Sequence, residues 1–122
     1  MTRPSRPLSL RAYAVATSAL AGLVPLWLKR RIAQGKEDAW RIAERMGEAT
    51  APRPAGRLVW CHAASVGESL ALLALIAALR ARGVAVVLTT GTVTSAALMA
   101  QRLPAGAIHQ FVPLDYRPWI ID

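Results

Sequence analysis

Apolar residues follow two regimes along this chain. Over residues 8–28 they run almost unbroken: Leu-Ser-Leu-Arg-Ala-Tyr-Ala-Val-Ala-Thr-Ser-Ala-Leu-Ala-Gly-Leu-Val-Pro-Leu-Trp-Leu, with Arg11 the one charge. The uncharged stretch 12–28 is seventeen residues, at the lower end of the ~17–25 needed to cross a hydrocarbon core. Tyr13 and Trp27 bracket it, where amphipathic rings favour a membrane interface. Lys29, Arg30 and Arg31 follow at once, and three such charges favour the cytoplasmic side. Arg3, Arg6 and Arg11 weaken the asymmetry at the other end. The expectation is a retained membrane anchor helix with basic flanks over residues 1–31. Two other readings stay open. One is a cleaved signal peptide, although no small-x-small cleavage site precedes a polar start. The other is a soluble core helix. Spanning and interfacial placements are both compatible with the length.

The second regime is shorter in period. Residues 30–48 carry helix formers and charge on most faces, with Ile42 and Met46 spaced to share one side. Glu37 and Asp38 read as solvated helix charges. Thr50-Ala-Pro-Arg-Pro-Ala-Gly56 is a breaker cluster, so residues 32–56 form a basic helix and linker. From residue 57 the pattern becomes apolar runs separated by helical stretches. Residues 58–63, 84–89 and 108–112 read as buried strands, and 69–82 and 94–102 as helices, stopped by Gly83 and Pro104. Strand, helix, strand, helix, strand with short loops is the order of a parallel sheet. Near-continuous apolar strands imply cover on both faces. The fold class is therefore α/β, a Rossmann-like parallel sheet over residues 57–122. Such sheets bind ligands beyond the carboxyl ends of their strands. That singles out residues 63–69, 89–94 and 113–116.

Composition narrows the class. The chain has 122 residues, room for one domain, and a formal charge of +8. Residues 1–57 hold eleven Lys/Arg against four Asp/Glu; residues 58–122 hold four against three. The basic field adjoins the apolar segment, where it attracts anionic membrane lipids at ~1 kcal/mol per charge; Lys29, Arg30 and Arg31 are the membrane-surface candidates. Nucleic acid is the weaker partner, because no aromatics interleave the basic residues and no helix-turn-helix or zinc pattern occurs. The single Cys61 excludes an internal disulfide and, with two separated histidines, gives no metal site. It reads as a buried strand residue in a reducing compartment. No G-x-G-x-x-G or Walker pattern supports a dinucleotide or nucleoside triphosphate, and no cofactor is implied.

The first loop, Ala64-Ser-Val-Gly-Glu-Ser69, admits two readings. Ser65-x-x-Glu68 is a capping box, and Gly67 would supply a tight turn. The same glutamate, at the positive end of a helix and at the ligand edge, is suited to act as a general base on a sugar hydroxyl. Capping and catalysis compete for one side chain. The second loop, Thr89-Thr-Gly-Thr-Val-Thr-Ser95, offers free amides for an anion or plain N-capping. Candidate substrate-binding positions are Ser65, Val66, Gly67, Thr90 and Thr92. His62 and His109 read as packed or surface histidines, since no carboxylate or cysteine is placed to orient them.

The stretch Trp60-Cys-His-Ala-Ala-Ser-Val-Gly-Glu-Ser69 resembles the signature of the 3-deoxy-D-manno-octulosonic acid (Kdo) transferases. Supporting matches are Gly35-Lys-Glu37, Glu44-Arg-Met-Gly47, Leu88-Thr-Thr-Gly-Thr-Val-Thr-Ser95 and Val112-Pro-Leu-Asp115, in the expected order. The resemblance implies two Rossmann-like domains facing across a cleft, a B-type glycosyltransferase, with this chain as the amino-terminal half. That half would hold the lipid A precursor; a carboxy-terminal domain would hold CMP-Kdo. Transfer would proceed with inversion and without a metal, on the cytoplasmic side of the bacterial inner membrane, in lipopolysaccharide core biosynthesis. The family's proton acceptor maps onto Glu68. The sequence stops at Asp122 with no counterpart of the donor domain, so the chain alone is expected to be an inactive fragment whose exposed sheet edges favour aggregation. A non-catalytic module binding an anionic membrane lipid is the alternative, and a transferase using another nucleotide sugar is a third reading.

Overall fold

The computed structural model describes residues 7–114. Arg3, Arg6 and the part of the third loop from Asp115 onward lie outside the described residues. Three strands, β1 (Leu58–His62), β2 (Ala85–Thr90) and β3 (Ala107–Phe111), form a parallel sheet in the order β1-β2-β3. Helix α4 (Val66–Ala81) joins β1 to β2, and α5 (Val93–Arg102) joins β2 to β3. The register sets Cys61 opposite Leu88 and Leu88 opposite His109.

Side chains alternate across a strand, and the alternation builds the core. Cys61, Val86 and Leu88 face Ile76 of α4 and Met99 of α5, with Leu72, Leu73, Leu79 and Leu98 packed around them. Burying a side chain such as Ile76 or Leu88 contributes ~1.5–3 kcal/mol. Gly83, at φ +74, ends the helical run after α4 in the left-handed geometry a side chain disfavours. The opposite face is less covered than the apolar strands imply. The irregular segment 49–54 lies over Leu58, Val87 and Ile108, and Trp60 stays 66% exposed.

Ahead of the sheet, the structure departs from the expected continuous helices. Helices α1 (Leu8–Ala19) and α2 (Val24–Ala33) are separated by a 3-10 turn at Ala21–Leu23 and bent by 41°. Pro25 falls in the first turn of α2, where it lacks an N–H and cannot extend the preceding helix. No single helix among the described residues is long and apolar enough to cross a membrane; the bent pair meets that test only together. Nothing on α1 is buried, and Leu28 is the buried residue of α2. Residues 30–48 are likewise not one helix. Gly35, at φ +70, turns the chain after α2. Asp38 then caps a 3-10 turn (Ala39–Arg41), and α3 (Ile42–Arg45) is a single turn.

Glu37 and Asp38 are therefore not solvated helix charges. Glu37 is 6% exposed and pairs with Arg31 at 2.9 Å and Arg45 at 3.6 Å, while Asp38 accepts the Trp40 amide. The segment 41–45 runs along the outer edge of β3. Arg41 donates to the His109 carbonyl, Glu44 accepts the Phe111 N–H, and Arg45 donates to the Val112 carbonyl. This edge, expected to be open, is closed by side chains, which removes one template for strand addition.

Candidate active site at the carboxyl edge of the sheet

Two strand-to-helix loops meet the carboxyl edge side by side, because β1 and β2 are neighbours and parallel. In the first, Ser65 has an extended backbone and its Oγ accepts the Glu68 amide at 3.1 Å. Glu68 Oε2 in turn accepts the Ala64 amide at 2.6 Å. Both halves of the capping box are formed. Yet Glu68 stays exposed, and a single backbone hydrogen bond holds its carboxylate. The side chain lies on the surface at the first turn of α4 rather than inside the protein.

Ser65 and Gly67 are exposed and Val66 is partly buried. Gly67 does not make the tight turn expected of it. It lies within α4 at an ordinary negative φ, and a Cβ built there meets only Ser65 Oγ at 3.9 Å. Its contribution is a bare patch of backbone beside Glu68.

In the second loop Thr92 is exposed and caps α5, accepting the Ser95 amide at 3.1 Å. Thr90 differs from the expectation of a substrate-facing hydroxyl: it is fully buried, and its Oγ1 lies 2.7 Å from His109 Nε2. No Lys or Arg occurs in residues 62–68, 90–95 or 111–114, although Arg45 reaches the Val112 carbonyl from outside them. Of the basic trio, Lys29 and Arg30 are exposed, but Arg31 turns inward. Its Nε donates to Glu37 at 2.9 Å and its guanidinium lies 4.9 Å from the Trp27 ring centre. The buried Glu37 carboxylate requires a partner, so Arg31 is held by the fold rather than offered to headgroups.

Two polar clusters escaped the sequence reading. Glu44, 2% exposed, accepts from Arg41 Nε and Nη2 at 2.7 Å, from Thr50 and from the Phe111 amide. Burial opposes its ionisation, but the hydrogen bonds from Arg41, Thr50 and Phe111 outweigh burial and hold its pKa below the ordinary value. Arg41 Nη2 also lies 3.0 Å from His109 Nδ1. Burial, then the adjacent Arg41 charge, lowers the His109 pKa to about 4. His109 is thus a neutral link between Arg41 and Thr90, its Nε2–H donating to the threonine. The second cluster joins Trp60, His62 and Thr89. Neither shows in the sequence spacing, because the strand register (His62 opposite Thr89, Leu88 opposite His109) is what brings each histidine to its threonine. Among the described residues, no group of three His, Cys, Asp or Glu is placed to hold a metal ion.

Comparison with known proteins gives this edge a family. A family model described as 3-Deoxy-D-manno-octulosonic-acid transferase (kdotransferase) matches residues 40–122. A probable 3-deoxy-D-manno-octulosonic acid transferase, mitochondrial, of Arabidopsis thaliana is 36% identical over 114 residues, 92% of this chain and 25% of that protein. The 3-deoxy-D-manno-octulosonic acid transferase of Bordetella pertussis is 36% identical over 113 residues, 85% of this chain and 26% of that protein. That of Rickettsia felis is 45% identical over 60 residues, 48% of this chain and 13% of that protein. The chain thus spans about a quarter of the length of the first two relatives. No solved structure matches it. With the family model covering more than half of its length, the chain belongs to the 3-deoxy-D-manno-octulosonic acid transferase family.

Proposed function

We propose that this chain supplies the acceptor side of a glycosyltransferase that moves Kdo from CMP-Kdo to a lipid A precursor, with Glu68 as general base. The observation that carries the proposal is the exposed Glu68 carboxylate at the carboxyl edge of a parallel sheet, tethered by one amide. Incoming substrate can draw the carboxylate from Ala64 without unfolding the helix, since Ser65 still caps the Glu68 amide. The carboxylate then removes the proton of the attacking hydroxyl as a new bond forms to the anomeric carbon and the nucleotide departs with the old bonding pair. Inversion follows from a single displacement. Ser65, Val66, Gly67 and Thr92 border the acceptor; Thr90 shapes the second loop through His109. The donor would bind a carboxy-terminal domain of the B-type arrangement, with the cleft between the two.

The exposed apolar surface of the 8–33 helix pair, including Leu8, Val15 and Leu26, supports attachment to a membrane. We place that attachment on the cytoplasmic face of the bacterial inner membrane, with Lys29 and Arg30 near anionic headgroups. A lipid-linked acceptor and an anchored enzyme would then meet in one layer.

The test is a chimera in which residues 1–122 replace the matching quarter of the Bordetella pertussis relative. Transfer from CMP-Kdo to a lipid A precursor, with other nucleotide sugars inert, supports the proposal. Transfer only from another nucleotide sugar overturns the donor assignment. Vesicle binding without any transfer overturns the enzymatic one.

A further inference from the structure

The hydroxyl of Thr89 ties down two side chains of the neighbouring strand. Trp60 Nε1 and His62 Nδ1 each lie 2.9 Å from Thr89 Oγ1. All three stand on the sheet face turned away from α4 and α5, since residues 60 and 62 alternate with the core residue Cys61. The indole N–H can only donate, so it occupies one lone pair of Thr89. The threonine hydrogen then has two destinations: His62 Nδ1 at 2.9 Å or the Cys61 carbonyl at 3.5 Å. We place the hydrogen on the 2.9 Å contact, the better hydrogen-bond distance. This placement makes Nδ1 an acceptor and leaves the ring proton on Nε2. His62 is exposed, ends β1, and has no partner on Nε2 among the described residues. The result is a fixed N–H donor at the edge of the sheet where Glu68 also stands.

The surroundings decide what that donor takes. Residues 62–68, 90–95 and 111–114 contain no Lys or Arg, and Glu68 is the one carboxylate among them. Next to the Glu68 carboxylate a phosphate is disfavoured, and a neutral hydroxyl oxygen suits the donor. We propose that His62 is an acceptor-binding residue whose Nε2–H hydrogen-bonds a hydroxyl oxygen of the acceptor sugar, with Thr89 as its positioning residue. The assignment rests on the glycosyl-transfer reading above. It deepens that reading by naming the group that orients the sugar while Glu68 removes a proton.

The experiment uses the same chimera, with lipid A precursor as the probe. His62→Ala should raise the acceptor KM roughly three- to tenfold, the worth of one neutral hydrogen bond, and leave the CMP-Kdo KM unchanged. His62→Gln restores an N–H donor and should recover most of the loss. Thr89→Val, which frees the ring, should raise the acceptor KM without touching the donor KM. Nitrogen NMR of the His62 ring should show a single Nε2–H tautomer. An unchanged acceptor KM in His62→Ala overturns the assignment, as does an equal defect in the Ala and Gln variants or an Nδ1–H tautomer. If Glu68→Gln is inactive while His62→Ala is normal, only the His62 assignment falls. If Glu68→Gln is fully active, the reading beneath it falls as well.

Discussion

Glu44 Oε1 accepts the main-chain N–H of Phe111 at 2.7 Å, across 67 positions of sequence. A one-turn helix thereby closes the edge of the third strand, and the Arg41 guanidinium, 4.6 Å from the Phe111 ring centre, seals the same junction. Removing the carboxylate leaves a buried amide and a guanidinium without their partner. Glu44→Ala should cost about 3–5 kcal/mol, the range for breaking a buried ion pair. Urea unfolding measures it; a loss below 1 kcal/mol would show that water replaces the clamp.

Acid should weaken the same junction. His109 titrates near 4 in the fold, against an ordinary value of 6.5. The unfolded chain therefore binds its proton first as pH falls. Stability from this group is complete above about 6.5, declines as pH drops toward 4, and levels off below. The shift corresponds to at most about 3 kcal/mol at ~1.4 kcal/mol per unit, less whatever solvent screening His109 retains. Glu44, with its pKa lowered, adds a further loss once pH falls through its ordinary range and below. Unfolding followed at a series of pH values should show the decline, and His109→Gln should flatten its upper part.

Gly106 and Gly83 offer a controlled comparison. Both have positive φ, +85 and +74, so alanine at either incurs a left-handed backbone penalty of ~1–2 kcal/mol. Only at Gly106 does a Cβ also collide with the Arg80 guanidinium, which bonds the Ala105 and Val84 carbonyls at 2.9 Å. Gly106→Ala should therefore destabilise more than Gly83→Ala. In an Arg80→Ala background the difference should vanish.

The basic trio separates by role. Lys29→Ala and Arg30→Ala should each weaken flotation with anionic vesicles several-fold, at ~1 kcal/mol per charge, and leave the melting temperature unchanged. Arg31→Ala should lower stability, because the buried Glu37 carboxylate loses its 2.9 Å partner and keeps only Arg45 at 3.6 Å. Equal effects of all three on flotation alone would contradict the inward placement of Arg31.

The strand and helix alternation from residue 57 onward was legible because it depends on local pattern. Apolar runs gave β1, β2 and β3, and Ser65 was readable as a cap, although α4 begins at Val66 rather than at 69 and α5 at Val93 rather than at 94. The amino-terminal third was less so. Helical propensity over 30–48 hid the turn that Gly35 imposes, and the apolar run concealed the break near Pro25. At the candidate site, Glu68 and its capping partner were readable from spacing. The fixing of His62 by Thr89 was not, since it depends on which residues a parallel register sets opposite each other. Thr90 shows the same limit: a hydroxyl in a loop-like run of threonines proves to be the buried partner of a strand histidine.

Ser65→Ala should cost ~1 kcal/mol as the loss of an N-cap. Glu68→Gln should cost much less, because glutamine can still accept the Ala64 amide in a capping box. That difference separates structure from chemistry at one side chain.

The most direct measurement is therefore the initial rate of Kdo transfer by the Glu68→Gln chimera, with its melting temperature recorded alongside. A fall of roughly 10²–10⁴ at an unchanged melting temperature is the expected result for loss of a general base. Transfer at the unsubstituted rate would contradict it.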